Sequence, residues 1–159
     1  MNKPQLLKHI VAALGESLEI LERAARASHD EATHESSRAE SKYDTRGLEA
    51  AYLAGGQARQ ARDIMEAMKL YSSLPTRDFA PDDLIDLTAV VKLETDGAPN
   101  FYFIGPKSGG VEVNFNREEI TVITPQSPLG QNLVGKKSGQ SWTAKLGNSN
   151  VKYKIAKVW

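Results

Sequence analysis

From Lys3 to about Leu74 the apolar positions recur at alternating spacings of four and three, and beyond Pro75 they recur at two. The first pattern is a heptad seam, made by Leu7, Val11, Leu14, Leu18, Leu21 and Ala25. A second seam of the same spacing runs through Ala50, Ala54, Gln57, Ala61, Ile64, Met68 and Tyr71, and Pro75 ends it. Each seam needs a partner, and the nearest partner is the other. The pattern therefore predicts an antiparallel helical (coiled-coil) hairpin with its turn within Arg38 to Gly47. Arms of roughly 30 residues would project on the order of 45 Å at the usual helical rise. A pair of helices in a compact bundle is the alternative. Gly55 and Gly56 weaken the second arm and predict a thin, slightly kinked region or a simple break.

Thr76 to Asp83 is polar, carries Pro81 and follows Pro75, so it reads as a linker. Period-two segments follow: Leu87 to Glu94, Phe101 to Ile104, Val111 to Phe115, Glu119 to Thr124, Trp142 to Leu146 and Val151 to Val158. Thr95-Asp-Gly-Ala-Pro99 and Gly147-Asn-Ser-Asn150 are turn signals between them. One short helix interrupts the strands at Ser127 to Val134. Ser127 caps it, Pro128 suits a first turn where no N–H is needed, and Gly135 closes it. The fold class predicted is α+β, with a helical hairpin over 1–75, a linker over 76–84 and a small, mostly antiparallel β domain with one short helix over 85–159.

Composition narrows the chemistry. The 40% apolar and 25% charged content is that of an ordinary soluble folded chain. Formal net charge is zero, which gives no bulk attraction to free nucleic acid. Without cysteine there is no disulfide, thiol nucleophile or thiolate metal site, in keeping with a reducing compartment. No run of apolar residues reaches membrane-spanning length and no secretory signal opens the chain, so a cytoplasmic protein with no membrane partner is expected. His29 and His34 are five apart and fall on different helix faces, which argues against a metal site with Asp30 and Glu35. The serines lack a nucleophile elbow, and Gly105 to Gly110 lacks the lysine and helix of a phosphate loop.

The segment Ile120-Thr-Val-Ile-Thr-Pro-Gln-Ser-Pro-Leu-Gly-Gln-Asn-Leu-Val-Gly-Lys-Lys137 resembles the Ser-Pro-Leu-Gly helix of the GreA/GreB transcription elongation factors. Asn100 to Pro106 is similar to that family's Tyr-x-Ile-Val-Gly strand, and Val151 to Val158 to its closing Tyr-x-Ile-x-x-Ile strand. The order hairpin, linker, sheet domain is similar over almost the whole chain. The resemblance implies an FKBP-like β domain without isomerase activity, docking on RNA polymerase at its secondary channel through Ser127, Pro128 and Leu129. It implies a hairpin tip that reaches the polymerase magnesium and contacts nascent RNA only within that complex. By the same resemblance the protein is not itself an enzyme and has no cofactor of its own.

At the tip this sequence departs from the family. The family pattern sets an Asp and a Glu three residues apart, whereas here Asp44 is followed by Glu49, five residues on, with Thr45, Arg46 and Gly47 between. Magnesium keeps several waters and takes one or two carboxylates, and two metals can activate water and stabilise a leaving oxygen. Asp44 matches the family's Asp, and Glu40 or Glu49 would supply a second carboxylate only if the turn brings it alongside. Three readings follow: stimulation of the polymerase's own cleavage of backtracked RNA, occupation of the channel without cleavage, or a coiled-coil adaptor that does not act on polymerase.

Overall fold

The computed structural model describes residues 1–33, 46–146 and 149–159. Two long helices come first, α1 (Lys3–Thr33) and α2 (Arg46–Ser72). Six strands and a short helix follow: β1 (Val90–Thr95), β2 (Ala98–Ile104), β3 (Glu112–Phe115), β4 (Glu118–Ile123), α3 (Pro128–Leu133), β5 (Ser141–Leu146) and β6 (Ser149–Val158). The α+β class expected from the two periodicities is the class observed. The chain divides into two compact units, Leu14–Lys69 and a second that joins Met1–Ala13 to Leu70–Trp159.

In the helical unit Leu14 is buried and Leu18, Leu21, Ala25, Gln57, Ala61, Ile64 and Met68 are half-buried, at the spacing of the two seams. A β-carbon on Gly15 would stand 3.7 Å from the Met68 thioether methyl, so early α1 meets late α2 and the pair is antiparallel. The Gly55-Gly56 pair neither breaks nor ends α2, which runs through it. Nothing lies within 4 Å of where a β-carbon would stand on either glycine, so neither serves a close helix approach. Neighbouring turns carry the helix across them.

The second unit is a six-stranded sheet of order β3-β4-β2-β1-β6-β5. All pairs are antiparallel except β2 with β4. Register sorts its side chains into two faces. Val91, Leu93, Ile104, Ile123, Ile155 and Val158 are buried on one, in a core shared with Leu133 of α3 and with Phe79 and Ile85. Phe103, Val113, Phe115, Ile120 and Val122 are buried on the other. Here His9 meets Phe115 edge-on at 5.3 Å between ring centroids, and Tyr71 lies 6.4 Å from Phe103. Leu6 and Ile10, off the heptad seam, are fully buried in the same unit. The Tyr71 hydroxyl donates to the Lys107 carbonyl at 2.6 Å, and burial, partly offset by that bond, pushes its pKa up to about 12.

Several boundaries shift from the sequence reading for local reasons. The first strand starts at Val90 and not at Leu87, because Thr88 sits at φ 67 and its N–H donates to the Ile104 carbonyl at 2.8 Å. The turn after it contracts to Asp96 and Gly97, at φ 50 and 90, a two-residue hairpin loop in the left-handed conformation that matches strand twist. Asn116 and Arg117 repeat that device between β3 and β4. Within 76–84, Phe79 enters the core while Arg77 pairs with Asp83 at 3.2 Å and Ala80 N–H donates to the same carboxylate at 2.9 Å. Trp159 extends the backbone pairing of the sheet beyond β6. It exchanges backbone bonds with Val90 at 2.9 and 3.2 Å and stacks on Phe101.

Candidate docking site

The local sequence accounts for the start of α3. Ser127, in extended conformation at φ −66 and ψ 153, accepts the Gly130 N–H at 3.1 Å and donates its own hydroxyl to the Thr124 carbonyl at 2.8 Å. One side chain thus caps the helix and ties it to the end of β4. Pro128 occupies the first turn, where its missing N–H costs nothing. At the other end the Val134 N–H donates to the Gly130 carbonyl, and Gly135 takes φ 81. Ile85 N–H donates to the Lys136 carbonyl at 2.8 Å and Gly135 N–H to the Ile85 carbonyl at 2.9 Å, fixing the exit of the helix against the 80s loop.

The three residues expected to dock fall to different roles. Ser127 is half-buried with its hydroxyl engaged on both sides. Pro128 is exposed. Leu129 is half-buried against the core, while Gly130 and Leu133 face inward. Of the three, Pro128 and part of Leu129 are accessible at the surface.

These two residues line a groove of about 420 Å³ with Tyr102, Trp142, Tyr153 and Asn132. The Trp142 and Tyr153 rings stack at 5.0 Å and 12°, as a directly opposed β5–β6 pair. Lys136 Nζ stands 5.6 Å from the Trp142 ring. Burial, then the neighbouring Tyr153, raises the Tyr102 pKa above the ordinary tyrosine value. The groove therefore combines three aromatic rings with the apolar Pro128 and Leu129 and with the amides of Asn100 and Asn132. It is suited to an apolar or aromatic anchor and holds no acid–base pair for catalysis. Sequence reading had one signal here, the alternation of Phe101, Tyr102 and Phe103, which sends Tyr102 to the face opposite its neighbours. It could not bring Tyr102, Trp142 and Tyr153 together, because that depends on β1 and β6 lying between β2 and β5.

At the predicted tip, Glu40 and Asp44 lie outside the described residues, and so does the Glu49 side chain, whose backbone belongs to the first turn of α2. Among the described residues no group of three or more His, Asp or Glu side chains is placed to hold a metal ion. None of the helices, as far as described, is long and apolar enough to cross a membrane.

Residues 80–159, the whole sheet and α3, match the family described as transcription elongation factor, GreA/GreB, C-terminal. The chain belongs to the GreA/GreB family of transcription elongation factors. Among solved structures it is similar to the transcription factor Gfh1, with 15% identity, 95% of this chain and 94% of that chain covered, and a TM-score of 0.40. The GreA factor homolog 1 (Gfh1) protein of Thermus thermophilus gives 20% identity, 94% and 94% coverage and a TM-score of 0.38. Thermus aquaticus Gfh1 gives 22%, 95% and 94%, and 0.38. No curated protein matches the chain. Family membership rests on the match over 80–159.

Proposed function

We propose that this Gre-type elongation factor binds RNA polymerase at its secondary channel through the α3 corner of the sheet domain, with Pro128 and Leu129 as the contact and Ser127 holding them in place. The observation that carries this reading is the α3 segment itself. It is locally self-supporting, lies inside the family match, and presents an exposed proline beside an aromatic groove. The helical hairpin would enter the channel, and Asp44, with Glu40 or Glu49, would approach the polymerase magnesium to stimulate cleavage of backtracked RNA.

A second reading keeps the docking and drops the cleavage. The five-residue spacing of Asp44 and Glu49 favours it, because the carboxylate that would orient a water is displaced along the chain. Backtracked polymerase complexes separate the two. Transcript cleavage faster than polymerase alone, lost in Asp44→Ala, supports the first. A protein that binds the complex and slows or alters elongation without speeding cleavage supports the second. Absence of any polymerase binding leaves only the adaptor reading.

A further inference from the structure

The sheet carries a second surface that the α3 corner does not use. On β1, β6 and β5 the side chains opposite the α3 face include Lys92, Lys152, Lys154, Lys157 and Lys145, with Trp159 just after β6. Lys145, Lys152, Lys154 and Lys157 are exposed and Lys92 is half-exposed. On the same face of these three strands the one carboxylate is Glu94, 3.5 Å from Lys154 Nζ. Five positive charges thus stand with Glu94 and, at the turn after β1, with Asp96, whose carboxylate accepts the Lys152 N–H at 3.0 Å, although the whole chain is neutral.

The arrangement within the patch is more telling than the count. Lys92 and Lys157 are direct cross-strand partners, beside the irregularity between Lys92 and Leu93. Like charges set opposite each other destabilise a sheet. No carboxylate separates them; two rings do. Lys92 Nζ lies 5.8 Å from the Phe101 centroid and Lys157 Nζ 4.8 Å from that of Trp159, while the two rings stack on each other at 6.4 Å. The rings hold both ammonium groups without neutralising them. Lys152 and Lys154, two apart on one strand, repeat the charge at about 7 Å.

Residue type then selects the partner. Protein interfaces are depleted in lysine, while the planar fork of arginine grips carboxylate and phosphate alike. A surface of lysines alone has no such geometry, and it suits a repeating anion that needs only point charges and gains by releasing counterions. The geometry points to a binding face for the phosphodiester backbone of nucleic acid, read without base specificity, on the β1–β6–β5 side of the sheet. Net neutrality of the chain makes this a short-range contact.

The test is fluorescence anisotropy of the whole protein with labelled oligonucleotides of about 20 nucleotides, in salt from about 20 to 200 mM. The probes are single-stranded RNA, single-stranded DNA and duplex DNA, with polyglutamate as a competitor of equal charge. No polymerase is present, so the outcome is independent of the docking reading. The logarithm of the binding constant is expected to fall linearly with log salt, and Lys92→Gln/Lys157→Gln is expected to weaken binding on the order of tenfold per lysine at low salt and to flatten the log–log slope by about 1.5. Circular dichroism melting checks that the variant is folded, and Lys69→Gln, on α2 and outside the sheet, is the control variant and should bind as wild type. No binding at the lowest salt, an unchanged slope in the double variant, or displacement by polyglutamate as effective as by RNA overturns the proposal.

Discussion

Gly130 stands so close to Thr124 that a β-carbon on it would run into the Thr124 carbonyl oxygen. That same carbonyl accepts the Ser127 hydroxyl, and Ser127 in turn accepts the Gly130 N–H. Three residues therefore lock the α3 corner with backbone contacts that no larger side chain at 130 tolerates. Gly130→Ala is expected to cost about 1–3 kcal/mol, because the obstacle is backbone and cannot swing away. Urea denaturation of the two proteins measures it; an equal midpoint would show that the corner is not held as described.

The cap and the contact surface separate by mutation. Ser127→Ala removes a helix cap and is expected to cost about 1 kcal/mol. Pro128→Ala touches an exposed side chain and is expected to change stability by less than about 0.5 kcal/mol while weakening polymerase binding. Thermal melting beside a binding assay distinguishes them, and the prediction fails if Pro128→Ala loses stability and binding together.

Alanine at Gly55 and Gly56 works in the opposite direction to alanine at Gly130. Both glycines sit within α2 with open space where a β-carbon would be. Gly55→Ala/Gly56→Ala is expected to stabilise the helical unit by roughly 1 kcal/mol per site. The measurement is the melting temperature, which should rise; a fall would mean that these positions need glycine.

Lys3 gives a pH signature. Its ammonium is buried, donates to the Arg77 carbonyl and stands 4.4 Å from the Phe79 ring, with the Arg77 guanidinium 3.8 Å from the same ring. Burial lowers its pKa from 10.5 to about 8; Asp78 opposes the shift and Arg77 adds to it. The unfolded chain then binds the proton more tightly than the folded one. The cost is full below pH 8 and is relieved as pH rises from about 8 toward 10.5. Wild type should therefore gain stability relative to Lys3→Met across that window. Urea midpoints at both ends measure the difference, and a gap that does not change with pH contradicts the assignment.

Legibility in the sequence followed the range of the interactions. The α3 segment was readable because Ser127, Pro128 and Gly135 act within a few residues of one another. Helical seams were readable because a repeat of four and three survives over many turns. Leu6 and Ile10 were missed because Leu7 and Val11 already satisfied that repeat, and nothing local says that α1 has a second buried face near its start. The groove of Tyr102, Trp142 and Tyr153 and the lysine face were both hidden for one reason. Each collects residues from strands far apart in the chain, through a strand order that no window of sequence contains. A net charge of zero concealed the lysines further, since it sums over all 20 basic and 20 acidic residues of the chain.

Equilibrium binding of the full chain to core RNA polymerase, wild type beside Pro128→Ala and Ser127→Ala, tests the central claim most directly. Wild type is expected to bind, and Pro128→Ala, folded and as stable as wild type, to bind at least about tenfold more weakly, a loss of about 1.4 kcal/mol. Equal binding by wild type and Pro128→Ala, or no binding by wild type, would contradict the assignment of the α3 corner as the polymerase contact.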